Sequence, residues 1–221
     1  MDLTTNGHAR TPAKIGKIGM AKKAAAPGKE TTIVVPKMTL ATVELTLNGI
    51  SPLIMHAWSE KAKRMMREKQ AKAATRAREI RNPEEEFNQA RYLDEKKRDC
   101  IPAIAFKCAA VEAGVLVGVF KTLLRKAFFV GKPGQELIPI VSKSGPRMRE
   151  DMVRVGMGSS DLRYRPEYLD WSVKVPVTFN PLMISADQLV NLFQNAGYFV
   201  GIGENRPETS GNQYGQFQVA V

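Results

Sequence analysis

Residues 38–56, MTLATVELTLNGISPLIMH, alternate cleanly through their middle: Val43, Leu45 and Leu47 fall on one side, Thr42, Glu44 and Thr46 on the other. A period of two belongs to a strand with one face buried and one face wet, and Asn48-Gly49 supplies the turn that stops it. From Ser59 the pattern changes to SEKAKRMMREKQAKAATRAREIRNPEEE. Ser59 can cap a helix that Asn82-Pro83 would terminate. Its apolar positions, Ala62, Met65 or Met66, Ala73, Ala77 and Ile80, are small and sparse. Such a helix has little to bury, so it is expected to project from the body or lie along a partner. The polar stretch up to Cys100 reads as a linker with room for a helical part, and residues 59–98 together read as a basic helical insertion.

The remaining elements follow in order. IPAIAFKCAAVEAGVLVGVF opens with Pro102 and settles into helical spacing, with Ile104, Ala105, Cys108, Ala109, Val111 and Val115 on one expected buried face. A short helix is expected around 121–128, and strands at ELIPIV and REDMVRVG on either side of the KSGPR turn. Trp171, Val173, Val175 and Val177 alternate with Ser172, Lys174 and Pro176, another half-buried strand. Ser185 caps a helix whose stripe is Leu189, Val190, Leu192 and Phe193, with Gly197 as its stop, and YGQFQVAV is the last strand. Strand, helix, strands, helix, strand is the α+β order of a ferredoxin-like (RRM-like) antiparallel sheet with helices on one face. Residues 1–37 lack a sustained apolar period and read as a flexible basic N-terminal arm, which leaves 38–221 as a single domain.

The 221 residues carry 33 Lys/Arg against 22 Asp/Glu, a formal charge of +11. That excess is segregated: seven basic residues against two acidic ones lie in 1–37, nine against three in 59–81, and the rest of the chain is balanced. Clustered positive charge suits a polyanion, because each phosphate neutralised releases counterions; a solvated tail and helix face is the bland alternative. Cys100 and Cys108 with His8 and His56 make no zinc spacing, and no metal or cofactor is expected. The longest apolar run, 101–120, is broken by Lys107 and Glu112, so no membrane span is expected. Without an apolar leader, a cytoplasmic setting is the default expectation.

Three stretches together resemble the RAMP superfamily, the repeat-associated mysterious proteins of CRISPR systems. LTLNGISPLIMH is similar to the superfamily's first strand and its SPL loop. IPAIAFKCAAVEAG is similar to the element that opens the first core helix, with Ile104-Ala105 where many members carry hydroxyls. GIGENRPETSGNQYGQFQV is similar to the glycine-rich loop and closing strand. The resemblance covers roughly 40–56 and 99–221 and lies nearest the guide-RNA backbone subunits, with stand-alone phage-borne relatives fitting as well. It implies binding of single-stranded RNA (or single-stranded DNA), self-association in several copies along the strand, and contact with other effector subunits.

The residues add their own candidates. Gly201-x-Gly203 is no dinucleotide fingerprint, since Arg206 takes the third glycine's place and a strand follows. Gly201 and Gly203, with Gly211, are instead expected to offer backbone N–H groups to phosphates, with Arg206 as a planar fork and Tyr214 beside them; a connector with Arg206 paired to Glu204 or Glu208 is the plain alternative. Lys107 near a helix start is expected at a phosphate, or snorkelling off an apolar helix. Arg147, Arg149, Arg154, Arg163 and Arg165 interleave with Tyr164 and Tyr168, the chemistry of single-strand binding, around a flexible VGMGSSD finger; the alternative pairs these arginines with Glu150, Asp151 and Asp161. Lys61, Arg64, Lys72 and Arg76 of the basic helix are expected on phosphates. His56 lacks an identifiable acid–base partner, and Glu84, Glu85 and Glu86 diverge along a linker, so neither catalysis nor metal binding is expected. Rival functions are an endoribonuclease built on His56 and a phage-encoded protein-interaction module.

Overall fold

The computed structural model describes residues 35–58, 60–71, 81–156 and 158–220. The expected cap at Ser59, the helix residues Lys72 and Arg76, the side chain of Lys61, and the arm up to residue 34 lie outside that set. The chain divides into two units, Met1–Lys37 and Met38–Val221, and every element below belongs to the second. In order these are β1 (Ala41–Gly49), β2 (Leu53–Ile54), α1 (Glu60–Gln70), α2 (Pro83–Gln89), β3 (Tyr92–Leu93), β4 (Asp99–Pro102), α3 (Ala103–Leu116) and α4 (Lys121–Ala127). Then come β5 (Phe128–Val130), β6 (Leu137–Val141), β7 (Arg147–Val155), β8 (Ser159–Tyr168), β9 (Ser172–Phe179), α5 (Ala186–Asn195), α6 (Pro207–Ser210) and β10 (Phe217–Val219).

The main sheet runs β10-β1-β9-β6-β4-β3, with β5 also on β9, and every pairing in it is antiparallel. Its heart is ferredoxin-like: β1, then α3, then β5 and β6, then β9, then α5, then β10, with the first strand between the last and the third. The outer edge of β9 is shared end to end. β6 pairs at Ser172 and Val173, β5 at Val177 to Phe179. Pro176 stands at the seam, where its missing N–H leaves no ladder bond unmade, and its carbonyl accepts from the Gly131 amide at 2.8 Å. The core lies between this sheet and the helices. Leu45, Leu47, Val173, Val175 and Val177 meet Phe106, Leu189 and Phe193, and Phe106 packs edge-on to Phe217 at 6.1 Å, as Phe128 does to Phe193. β2, β8 and β7 form a separate three-stranded sheet.

Four local expectations are corrected. Asn82-Pro83 starts a helix: the Asn82 side chain accepts from the amides of Glu84 and Glu85, and Pro83 takes the first helical turn. The linker's helical part is α2, and beyond it the stretch holds the β3–β4 hairpin, which was not expected. α3 buries Ala103, Phe106, Ala109, Ala110 and Ala113, while Ile104, Cys108 and Val115 face outward; the one large ring, Phe106, sets the inward face. Gly197 does not stop α5. The helix continues as a π-helical turn over Ala196–Val200, and a Cβ on Gly197 would stand 1.9 Å from the Phe217 carbonyl oxygen. That glycine is there to admit β10. Finally, residues 159–168 form a strand that the sequence pattern did not show.

Candidate nucleic-acid interface

The glycine loop is held by the chain itself. The Gly215 amide donates to Pro52 O at 2.8 Å, the Glu204 amide to Ile54 O at 2.8 Å, and the Gln216 amide to Ser51 Oγ at 2.9 Å. Gly203 has φ 77° and Gly215 φ 66°, and a Cβ would stand 2.4 Å from Ile54 O at the first and 1.8 Å from Ile202 O at the second. Both glycines are therefore required by the backbone packed against them, Ile54 of β2 at the first and Ile202, just past the π-helical turn, at the second. Gly201 carries φ 68° against Pro207, and Gly211 caps α6 over open space. Arg206 turns inward, donating to Gly203 O at 3.1 Å and pairing Glu208 at 2.9 Å.

The hairpin arginines also find partners within the fold. β7 pairs with β8 in a register that sets Arg147 opposite Glu167, Arg149 opposite Arg165 and Asp151 opposite Arg163, all on one face. Glu167, 1% exposed, accepts from Arg147 at 2.5 Å and Arg149 at 3.0 Å. Arg149 also bonds Asp151 at 2.8 Å and the Tyr214 hydroxyl at 3.1 Å, with its guanidinium 4.9 Å from that ring. Burial opposes the charge on Arg149, but these bonds outweigh it and raise its pKa further. Arg165, 7% exposed, lies 3.6 Å from both Asp151 and Glu204, and Arg163 pairs Asp161 at 3.2 Å. Arg154, exposed near the hairpin tip, and Tyr164 lie on the opposite face with Met148 and Met152. His56 stands beside the same cluster. Burial foremost, then Arg165, lowers its pKa while Glu204 raises it, and its buried Nδ1 has no hydrogen-bond partner.

The exposed surface offers a different set of groups. Arg64, with Met65, Met66, Arg67 and Lys69, lies on the outer surface of α1. Just before that helix, Trp58 is 54% exposed, with the Lys63 ammonium 5.9 Å from its ring. Farther along, Lys107 of α3 turns its ammonium onto the ring of Phe129, 3.9 Å from the centroid, and Phe129 is 57% exposed. Lys107 is therefore held over a ring, and burial lowers its pKa. A 630 Å³ cleft lies here, lined by Tyr92, Ile104, Lys107, Phe129, Gln135 and Leu137 among others. Tyr92 lines this cleft; burial raises its pKa, the charge of Glu204 adds to the rise and that of Lys63 opposes it. The threonines Thr42 and Thr178, 3.1 Å apart, and the Lys174–Glu44 pair occupy the sheet's other face, and Phe129, paired with Thr178 in the ladder, stands on that same face. Neither Trp58 nor Phe129 stood out in the sequence. Trp58, five residues ahead of a helix lysine, left a faint signal; Phe129 and Lys107 meet only in three dimensions.

The fold is thus an α+β ferredoxin-like one with a second small sheet. No protein-family model matches the chain, and no curated protein sequence does. Among solved structures it is similar to Cmr6 from Pyrococcus furiosus, at 10% identity and TM-score 0.42, covering 83% of this chain and 100% of that one. Nothing about this chain's chemistry follows from a match at that level. Among the described residues no helix is long and apolar enough to cross a membrane, and no group of three His, Cys, Asp or Glu is placed to hold a metal ion.

Proposed function

We propose that this protein binds single-stranded nucleic acid, RNA in preference to DNA, without cleaving it. The observation that carries the reading is the pair of exposed rings, Trp58 and Phe129, each with a lysine ammonium against it, beside a helix rich in Lys and Arg. Bases stack on rings without regard to sequence while cations follow the backbone. The preference for RNA, assembly in several copies and association with effector subunits rest on the motif resemblance to guide-RNA backbone subunits. The hairpin base, with Arg149, Arg163 and Arg165, serves in this reading as scaffold, and Arg147 and Arg154 are left at its outer surface.

The test is titration of a labelled 20-nucleotide RNA, and DNA of the same sequence, across a salt series. Lys63, Arg64, Arg67 and Lys69 all changed to Glu should weaken binding and flatten the salt dependence by about 0.7 for each phosphate no longer neutralised. Failure of the wild-type protein to bind either strand at low salt overturns the reading. A second reading, cleavage at His56, is favoured by the gathering of Glu204, Arg163 and Arg165 around that imidazole. Defined products that vanish in His56→Ala would establish it, and intact RNA after prolonged incubation would remove it.

A further inference from the structure

We infer that the cleft between Tyr92 and Phe129 is a base-binding subsite that takes one unpaired nucleobase irrespective of its identity; this rests on the strand-binding reading above. The lining is largely apolar, with Ile104, Val130 and Leu137 beside one exposed ring, one cation and the exposed Glu136. A ring, a cation and a cleft of this size are what a stacked base and its phosphate need. Lys107 occupies the ring in the free protein. An ammonium gains more from a charge-assisted bond to a phosphate oxygen than from a ring face. The incoming strand therefore draws Lys107 off Phe129, and a base takes the face it leaves.

The tolerance for base identity follows from stacking, since every base has a ring face, and the cleft's amide adds little to it. Gln135 is the one carboxamide lining the cleft, and it is committed to the fold. Its Nε2 donates to Leu137 O at 3.2 Å, and its Oε1 accepts from the Lys132 amide at 3.2 Å. Each end of that amide is engaged once by the fold, and the other polar side chains of the lining are the Tyr92 hydroxyl, the Lys107 ammonium and the Glu136 carboxylate.

The test compares a labelled oligouridine 12-mer with the same strand carrying abasic residues throughout, so that charge is kept and the bases are lost. The wild-type protein should bind the base-bearing strand about 10-fold tighter or more. Phe129→Ala should remove this subsite's share of that difference, leaving the share from stacking on Trp58, with its salt dependence unchanged; Phe129→Leu should do the same, and Lys107→Gln should lower the salt slope by about 0.7, the equivalent of one phosphate. Replacing uridine by adenine should change affinity less than removing the base does. Phe129 is exposed, so a thermal melt should find both variants folded. If Phe129→Ala binds the two strands as the wild type does, the subsite is wrong while strand binding stands. If no strand binds the wild type, both readings fall together.

Discussion

Gly215 lies so close to Ile202 that any side chain would meet its carbonyl oxygen, whereas Gly211, at a similar φ of 70°, opens onto solvent. Gly215→Ala should therefore cost roughly 3 kcal/mol or more, and Gly211→Ala only about 1 to 2, read as shifts of the urea midpoint. Equal costs would mean that the loop is not packed as described. Arg149 gives a second contrast. Its loss leaves the buried Glu167 with only the more exposed Arg147, so Arg149→Leu should destabilise by about 2 kcal/mol, below the 3–5 of a fully buried pair because Arg149 keeps part of its exposure. Strand affinity of the folded variant should stay within a few-fold of the wild type's. His56 sets a pH dependence. Its folded pKa lies below the ordinary value of 6.5, so the unfolded chain takes up the proton first as pH falls. The stability contributed by the neutral ring is present above about pH 6.5 and is lost as pH falls through the folded pKa. The melting temperature should drop between pH 7 and pH 5, and His56→Gln should remove part of that drop.

At the scale of elements, α1 is surface and α5 is structure. Reversing the four α1 charges should leave the melting temperature within a degree or two while binding changes, because the outer side chains of α1 are exposed and bury little. α5 instead carries a full capping box, Ser185 with Gln188, over buried Leu189, Leu192 and Phe193. These contrasts mark which elements the sequence discloses. β1, β9 and α5 were legible because each has one wet face and one dry face, so the period survives in the residue order. α3 was recognisable as a helix but its inward side only in part, at Ala109 and Val111, since nearly every residue in it is small or apolar. β8 was hidden for the opposite reason. Along SSDLRYRPEY the charged side chains Asp161, Arg163, Arg165 and Glu167 share the face that pairs across the hairpin, and an ion-pair lattice leaves no apolar alternation to detect. The arginines there look in sequence like a strand-binding tract, and only the cross-strand carboxylates show how they are occupied.

For the whole molecule, the order of the strands was deducible, while the site was legible only in part. The basic helix and Lys107 were visible in composition; the two rings proposed to act with them depend on how the chain folds back. That folding back has a further result. β1 finds its neighbours in β9, more than 120 residues later, and in β10 at Phe217–Val219. During synthesis the earliest core strand must therefore wait, apolar face uncovered, until residues 172–219 have left the ribosome. Loop closure over such separations makes the final pairing slow, so refolding from urea should take milliseconds to seconds, and removal of residues 216–221 should leave a collapsed chain that binds hydrophobic dye. In a cell the unfinished polypeptide is a client for chaperones, and its production should depend on them more than the stability of the finished protein would suggest.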